Sequence, residues 1–328
     1  MTNRLLRRLR LLFSLGNSGN QQACDLSSAS NDLISASNDP CSASKEYWTE
    51  HNVTLHYEFS TKEESLEYFH WRNDQYFNYI ELMPVSGFDG KCVLDYGCGP
   101  GHDLIGFGTY SACKRLVGVD VSSSSVAESR VRLALHGISA ETMVLDSRVI
   151  ELPFEDATFD HIHSSGVLHH TPDPVAILKE LKRVLKPEGS INVMVYNYDS
   201  IWVHLYVAYQ RSIVEGLHQG ESLRDRFRHS TDGENCPISN CYRPAEWISL
   251  CADAGFKANF SGAAVDVFEL SLLSNRFAAI MDRRFPMSLR ITRESREFLK
   301  SLEFNKYGIP IYRGNYAGID ACYRLRKV

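Results

Sequence analysis

Between Lys91 and Tyr196 short apolar runs alternate with stretches of helical periodicity, and this alternation constrains the chain more than any other feature. Residues 92–95, C-V-L-D, form the first run, which Gly97, Gly99 and Gly101 close before a helical stretch begins. Residues 116–120, L-V-G-V-D, predict a second strand. The next helix opens in a Ser-rich segment with a capping box at Ser125-Val-Ala-Glu128 and ends at Gly137. Residues 142–145 and 159–164 predict the third and fourth strands. Asp173 suits an N-cap with Pro174 at the first helical position, and Val175, Leu178, Leu181 and Leu185 recur at helical spacing. Lys182, Arg183 and Lys186 complement the dipole at the end of that helix. Pro187 and Gly189 stop it, and residues 191–196 predict a fifth strand.

Strands alternating with helices imply an α/β fold, a parallel sheet covered on both faces. Right-handed crossovers make it doubly wound, with ligands beyond the carboxyl ends of the strands. Those ends carry glycine or polar residues: Asp95 to Gly101, Asp120, Asp146, His169-His170 and Tyr196-Asn197-Tyr198.

The first loop reads V-L-D-Y-G-C-G-P-G-H-D. Its glycines permit a sharp turn and close approach of a ligand to backbone, and the following helix offers free N–H groups to an anion. A dinucleotide site of the form G-x-G-x-x-G is missing its third glycine, since His102 stands there, and no Gly-Lys-Ser/Thr follows for a P-loop. Asp120 lies about twenty residues on from the loop, a spacing suited to ribose hydroxyls.

D-Y-G-C-G-P-G, V-G-V-D-V-S, L-P-F-E-D-A-T-F-D, G-V-L-H-H-T-P-D-P and R-V-L-K-P-E-G-S occur in that order over residues 91–196, about a third of the chain. Together they resemble the class I methyltransferases that use S-adenosylmethionine, in the small-molecule, methyltransferase type 11-like branch. The resemblance implies a mainly parallel, seven-stranded Rossmann-like sheet with helical insertions forming a substrate cap. It implies S-adenosylmethionine as cofactor and S-adenosylhomocysteine as product. It places Gly97, Gly99 and Gly101 against the methionine part of the cofactor, Asp95 near its amino group and Asp120 on the ribose. Asp146 becomes the candidate for the adenine amino group, with Ser147 or Arg148 sharing the contact. Asp146 stands seven residues before Pro153, where the family often has five.

The same resemblance sets His169 and His170 beside the reacting methyl. An imidazole there either takes the proton of a hydroxyl acceptor, with His169 preferred, or lines the pocket. His161 and His163 share one face of the fourth strand with no role assigned, and no metal site is expected. Residues 45–88 are rich in aromatic side chains and read as a helical lid, with Trp71, Arg72 and Tyr76 as candidates to cover the cofactor. Insertions at residues 197–243 and 266–314 are expected to build the acceptor pocket around Tyr196, Asn197 and Tyr198. Arg283, Arg284, Arg290, Arg293 and Arg313 there either hold an acidic substrate or cover a solvated helix face.

The net charge of −5 gives no electrostatic footprint for nucleic acid. Nine cysteines with no C-x-x-C pair read as reduced thiols of a cytoplasmic protein, and Cys236 with Cys241 lacks a second pair for zinc. No apolar run reaches the ~18 residues of a membrane helix. Residues 1–44 read as a disordered tail, whose Arg- and Leu-rich start also resembles an organelle-targeting peptide. The expected reaction is metal-independent methyl transfer to a small-molecule hydroxyl. N- or C-methylation and a non-catalytic cofactor-binding subunit are the alternatives, and a nicotinamide oxidoreductase is disfavoured. The oligomeric state is not readable from the sequence.

Overall fold

The computed structural model describes residues 39–51 and 58–328. The expectations for the Arg-rich start and for the tail up to residue 38 lie outside these residues. The tail expected to reach Ser44 gives way earlier: helix α1 (Pro40–Glu50) starts where the Asp39 carboxylate accepts the N–H groups of Cys41 and Ser42. Helix α2 (Lys62–Asp74), a two-residue strand β1 (Tyr76–Phe77) and the short α3 (Tyr79–Leu82) complete the N-terminal segment.

The alternating core follows as β2 (Cys92–Tyr96), α4 (His102–Tyr110), β3 (Arg115–Asp120), α5 (Ser123–His136), β4 (Glu141–Val144), β5 (Phe159–Ser165), α6 (Pro174–Val184) and β6 (Leu185–Tyr196). Val93, Leu94, Val117, Val119 and Ile162 are fully buried, as strands covered on both faces must be. Asp173 and Pro174 start α6 as expected, with the Asp173 carboxylate accepting the Ala176 N–H. Helix α5 departs from expectation. Ser122, not Ser125, is its cap, and its hydroxyl accepts the Ser125 N–H, so the Ser125–Glu128 box is not formed at the helix start. Leu185 opens β6 rather than ending α6.

Strands β2 to β6 are mutually parallel in the order β6-β5-β2-β3-β4. The winding reverses between β2 and β5, and such a switch point opens a crevice at the carboxyl ends. The chain then adds α7 (Leu223–Arg228), α8 (Pro244–Asp253) and β7 (Phe256–Asp266), followed by α9 (Val267–Leu272), α10 (Arg276–Met281) and α11 (Arg293–Lys300). It closes with β8 (Glu303–Phe304), β9 (Pro310–Tyr312), β10 (Asn315–Tyr316) and β11 (Asp320–Lys327). Strand β11 inserts antiparallel between β6 and β7. The sheet has eight strands, not seven, because Tyr76 and Phe77 pair with Asp266 and Val265 at its edge. Two residues are too few to show a period-two pattern.

The two insertions share a hydrophobic cluster separate from the core of the sheet. The helix Trp202–Val214, wound in π geometry, packs Ile201, Leu205 and Ala208 against Leu272, Ala279, Phe298 and Leu299 of α9 to α11. Among the described residues no helix is long and apolar enough to cross a membrane.

Candidate functional site

The Gly-rich loop lies at the switch point. Gly97, Gly99 and Gly101 all take left-handed backbone, with φ of 79°, 51° and 81°. A Cβ on Gly97 would stand 2.2 Å from Val167 Cγ2, so the loop after β2 packs directly on the loop after β5. Asp120, at the end of β3, accepts the Gly99 N–H at 2.8 Å and the Ser122 N–H at 2.8 Å. It thereby locks the loop to the start of α5, while its oxygens keep lone pairs for further donors. No side chain caps α4, which starts directly after Gly101 and leaves its N-terminal N–H groups facing the crevice side of the loop.

Behind the loop is a buried charged cluster. Asp95 is 1% exposed, and its Oδ2 has no hydrogen-bond partner among the described residues. Burial raises its carboxyl, against the opposing pull of His163. His163 stands beside Asp95 in register across β2 and β5, with Nε2 3.3 Å from Asp103 Oδ2. Arg72 of α2 approaches the other Asp103 oxygen at 3.9 Å, and its Nη1 is buried without a hydrogen bond among the described residues. Burial alone would raise Asp103, but the His163 ring 3.3 Å away, with Arg72, holds it well below the usual carboxylate range. Conversely, burial disfavours protonated His163, yet Asp103 and Asp95 raise it above its ordinary value. His161 has a different environment: its ring lies 4.3 Å from Phe88, its Nδ1 is 3.2 Å from Ser190 Oγ, and burial keeps it neutral.

The double histidine forms one turn of 3₁₀ helix, Leu168–His170. His169 is fully buried, its ring 3.8 Å from that of Tyr196, with neither nitrogen hydrogen-bonded among the described residues. Burial, then His170, keeps it neutral. His170 is engaged at both nitrogens: Nδ1 lies 2.6 Å from the Ile238 carbonyl and Nε2 3.5 Å from Asp232 Oδ2. Burial lowers its pKa against the pull of Asp232. The Tyr196 hydroxyl donates to both Asp232 oxygens, at 3.0 and 3.1 Å, and Tyr47 of α1 donates to the Asp232 carbonyl. His170, Asp232 and Cys236 bring three ligand-type atoms within 4.8 Å of one another. The carboxylate faces Nε2, whereas the Cys236 thiol lies 3.9 Å from Nδ1, which the Ile238 carbonyl already takes up. His218, Glu221 and His229 make a second such group on the cap.

The family model described as a methyltransferase domain matches residues 94–193. An uncharacterised methyltransferase of Schizosaccharomyces pombe is 38% identical over 127 residues, 37% of this chain and 45% of that protein. A tRNA U34 carboxymethyltransferase of Campylobacter curvus is 33% identical over 34% of this chain and 36% of its own length. A ubiquinone biosynthesis O-methyltransferase of Haemophilus ducreyi is 25% identical over 57% of this chain and 74% of its own length. Residues 94–193 therefore match a methyltransferase domain. The first two matches span less than half of those relatives, and the cap lies largely outside the matched domain.

The remaining sequence candidates fare differently. Asp146 follows β4 as expected, but it is exposed and forms an ion pair with Arg148 at 2.8 Å; Ser147 is half-buried between them. Asn197 is buried and donates to the carbonyls of Asp199 and Gly318, which fixes the entry to the cap. Tyr198 is sandwiched between Arg224 and Arg243, 4.5 and 4.1 Å from its ring, and donates to Glu294. These contacts turn Asn197 and Tyr198 into cap architecture. Trp71 is half-buried on α2, its ring 5.5 Å from Tyr68. Arg283, Arg284, Arg293 and Arg313 are exposed, with Arg284 paired to Asp282, and Arg290 donates to the Phe285 carbonyl.

Sequence reasoning missed three acids. Asp103 carried a signal, since it sits two residues beyond the last glycine, in the first turn of α4. Asp232 and Asp320 carried none, because only the fold brings them to the crevice. Register pairs Asp320 with Tyr196 and Ala264, and Asp266 with Tyr76. Tyr76, Asp266, Asp320 and Tyr196 therefore share one face at the carboxyl edge of the sheet. Burial and the nearby Asp266 push the Asp320 carboxyl up to about 8, against the pull of Arg72.

Proposed function

We propose that the chain binds S-adenosylmethionine against the Gly97–Gly101 loop and transfers its methyl to a small-molecule hydroxyl held under the cap. The carrying observation is a pair of side-chain atoms with no hydrogen bond among the described residues, the buried Asp95 Oδ2 and Arg72 Nη1, whose nearest charge is an Asp103 oxygen 3.9 Å away. They suit the two ends of an amino-acid zwitterion, the ammonium on Asp95 and the carboxylate on Arg72. The glycine cradle, which a side chain would fill, and the spare lone pairs of Asp120 suit the rest of the cofactor. When bound, the cofactor supplies an electrophilic methyl on a sulfonium. The chain's own residues orient the acceptor, exclude water and take its proton.

His169 is the proposed proton acceptor: it is neutral, held by the Tyr196 ring, and both its nitrogens lack partners among the described residues. With the cofactor bound, His169 would take the hydroxyl proton of the acceptor. His170, Asp232 and Tyr196 position that ring. The face bearing Asp320, Asp266 and Asp232 favours an acceptor that donates hydrogen bonds and opposes an acidic one. No metal is required. An RNA acceptor is the second reading, favoured by the tRNA-modifying relative and opposed by the acidic net charge. The eight free cysteines among the described residues suit a reducing compartment such as the cytoplasm.

A labelled-methyl assay on fractionated cell extract tests the reading. Label retained through mild base as a small-molecule methyl ether supports it, and label released as methanol would mark a carboxyl ester and overturn the hydroxyl acceptor. Label confined to RNA replaces it with the second reading, and no label in any fraction overturns both.

A further inference from the structure

The outer face of the cap carries side chains that neither cofactor nor acceptor accounts for. Phe277 on α10 is 74% exposed and Met287, in the turn that follows, 83%, with Met281 also exposed. Phe277 and Met281 line a surface cavity together with Arg283 and Arg284. Arg276 lies 5.4 Å over the ring of Phe304, which brings the β8–β9 hairpin alongside. At the hairpin tip Lys306 sits 4.8 Å over Tyr307, itself 70% exposed. Residues 276–293 hold five arginines and one acid, Asp282, in a chain whose net charge is −5.

We propose that this face docks on an anionic lipid surface. The apolar residues are separate, projecting knobs on a helix, a turn and a hairpin tip. A protein partner would need a rigid socket for each, whereas a fluid acyl boundary accepts them wherever they fall. Arginines beside them reach headgroup phosphates while their stems stay with the apolar layer. Phe277, Met281, Met287 and Tyr307 would enter the interface, and Arg283 and Lys306 would meet the headgroups.

Sedimentation of the full chain with phosphatidylcholine vesicles, with and without one-third phosphatidylglycerol, tests this without any substrate. Binding is expected on the anionic vesicles and is expected to weaken as salt rises. One basic residue near the surface is worth about fivefold in affinity, so Arg283→Glu should reduce anionic binding by at least that factor. Phe277→Ser with Met287→Ser should lower binding roughly tenfold or more. Both side chains are exposed, so an unchanged thermal midpoint verifies the fold. Wild-type protein that stays in the supernatant overturns the proposal. So does equal binding by the variants, the result expected if the Arg-rich residues 4–13 alone met the lipid.

Discussion

The proposed cofactor side and the proposed acceptor side of the crevice are built on different ranges of chain. On the cofactor side, contacts close strand–turn–helix units: Asp120 reaches Gly99 across 21 residues. On the acceptor side, His170 meets the Ile238 carbonyl across 68 residues and Tyr47 meets Asp232 across 185. The first side is a local pattern within the matched domain. The second is assembled from the loop after β5, the insertion carrying Asp232 and Ile238, and helix α1. The family match ends at residue 193, so it includes His169 and His170 but not Tyr196, Asp232 or Tyr47.

The sharpest way to break this division is Gly97→Val. Its side chain would collide with Val167 from a left-handed backbone, so the two loops must part. Cofactor affinity should fall at least a hundredfold, with about 1–3 kcal/mol lost in urea unfolding. Cofactor binding near wild-type by calorimetry would mean the loop is not the cradle. His169→Ala sits across the boundary. It should lower turnover at least tenfold with cofactor affinity intact, and unchanged turnover would reduce His169 to pocket lining.

The buried pair behind the loop gives a pH signature. Because folding raises His163, its contribution is fully present below its unfolded value of about 6.5 and lost as pH rises through the folded one. Asp103, held low, keeps its contribution throughout that window and loses it only in strong acid. Wild-type stability should therefore decline from pH 6.5 upward, and His163→Gln should flatten the decline. The same slope in both proteins would assign it elsewhere. Asp146→Asn is the smallest expected effect. Its carboxylate is exposed and satisfied by Arg148, so cofactor affinity should change less than about threefold. A tenfold loss would restore Asp146 as the adenine contact.

The core strands, the Asp173–Pro174 helix start and the place of Asp120 were legible because each rests on neighbours in sequence. His163 was visible but unexplained, since its partner Asp103 lies on a helix that only the parallel register brings over β5. Asp320 and Asp232 were illegible: neither sits in a pattern, and both reach the crevice through antiparallel pairing or a loop folded back from the cap. The Ser125 box failed for a local reason, because Ser122 offers an earlier cap with the same chemistry. Asn197 and Tyr198 were placed at the correct strand end but turned into cap packing by Gly318, Arg224 and Arg243, which distance in sequence hid.

Calorimetric titration of S-adenosylmethionine into wild type, Asp95→Ala and Arg72→Ala tests the central claim most directly. The account predicts one site in the wild type and a loss of roughly 10- to 100-fold in each variant, the value of a buried charge-assisted hydrogen bond. Folded wild-type protein that takes up no S-adenosylmethionine, or variants that bind it equally well, would contradict the account.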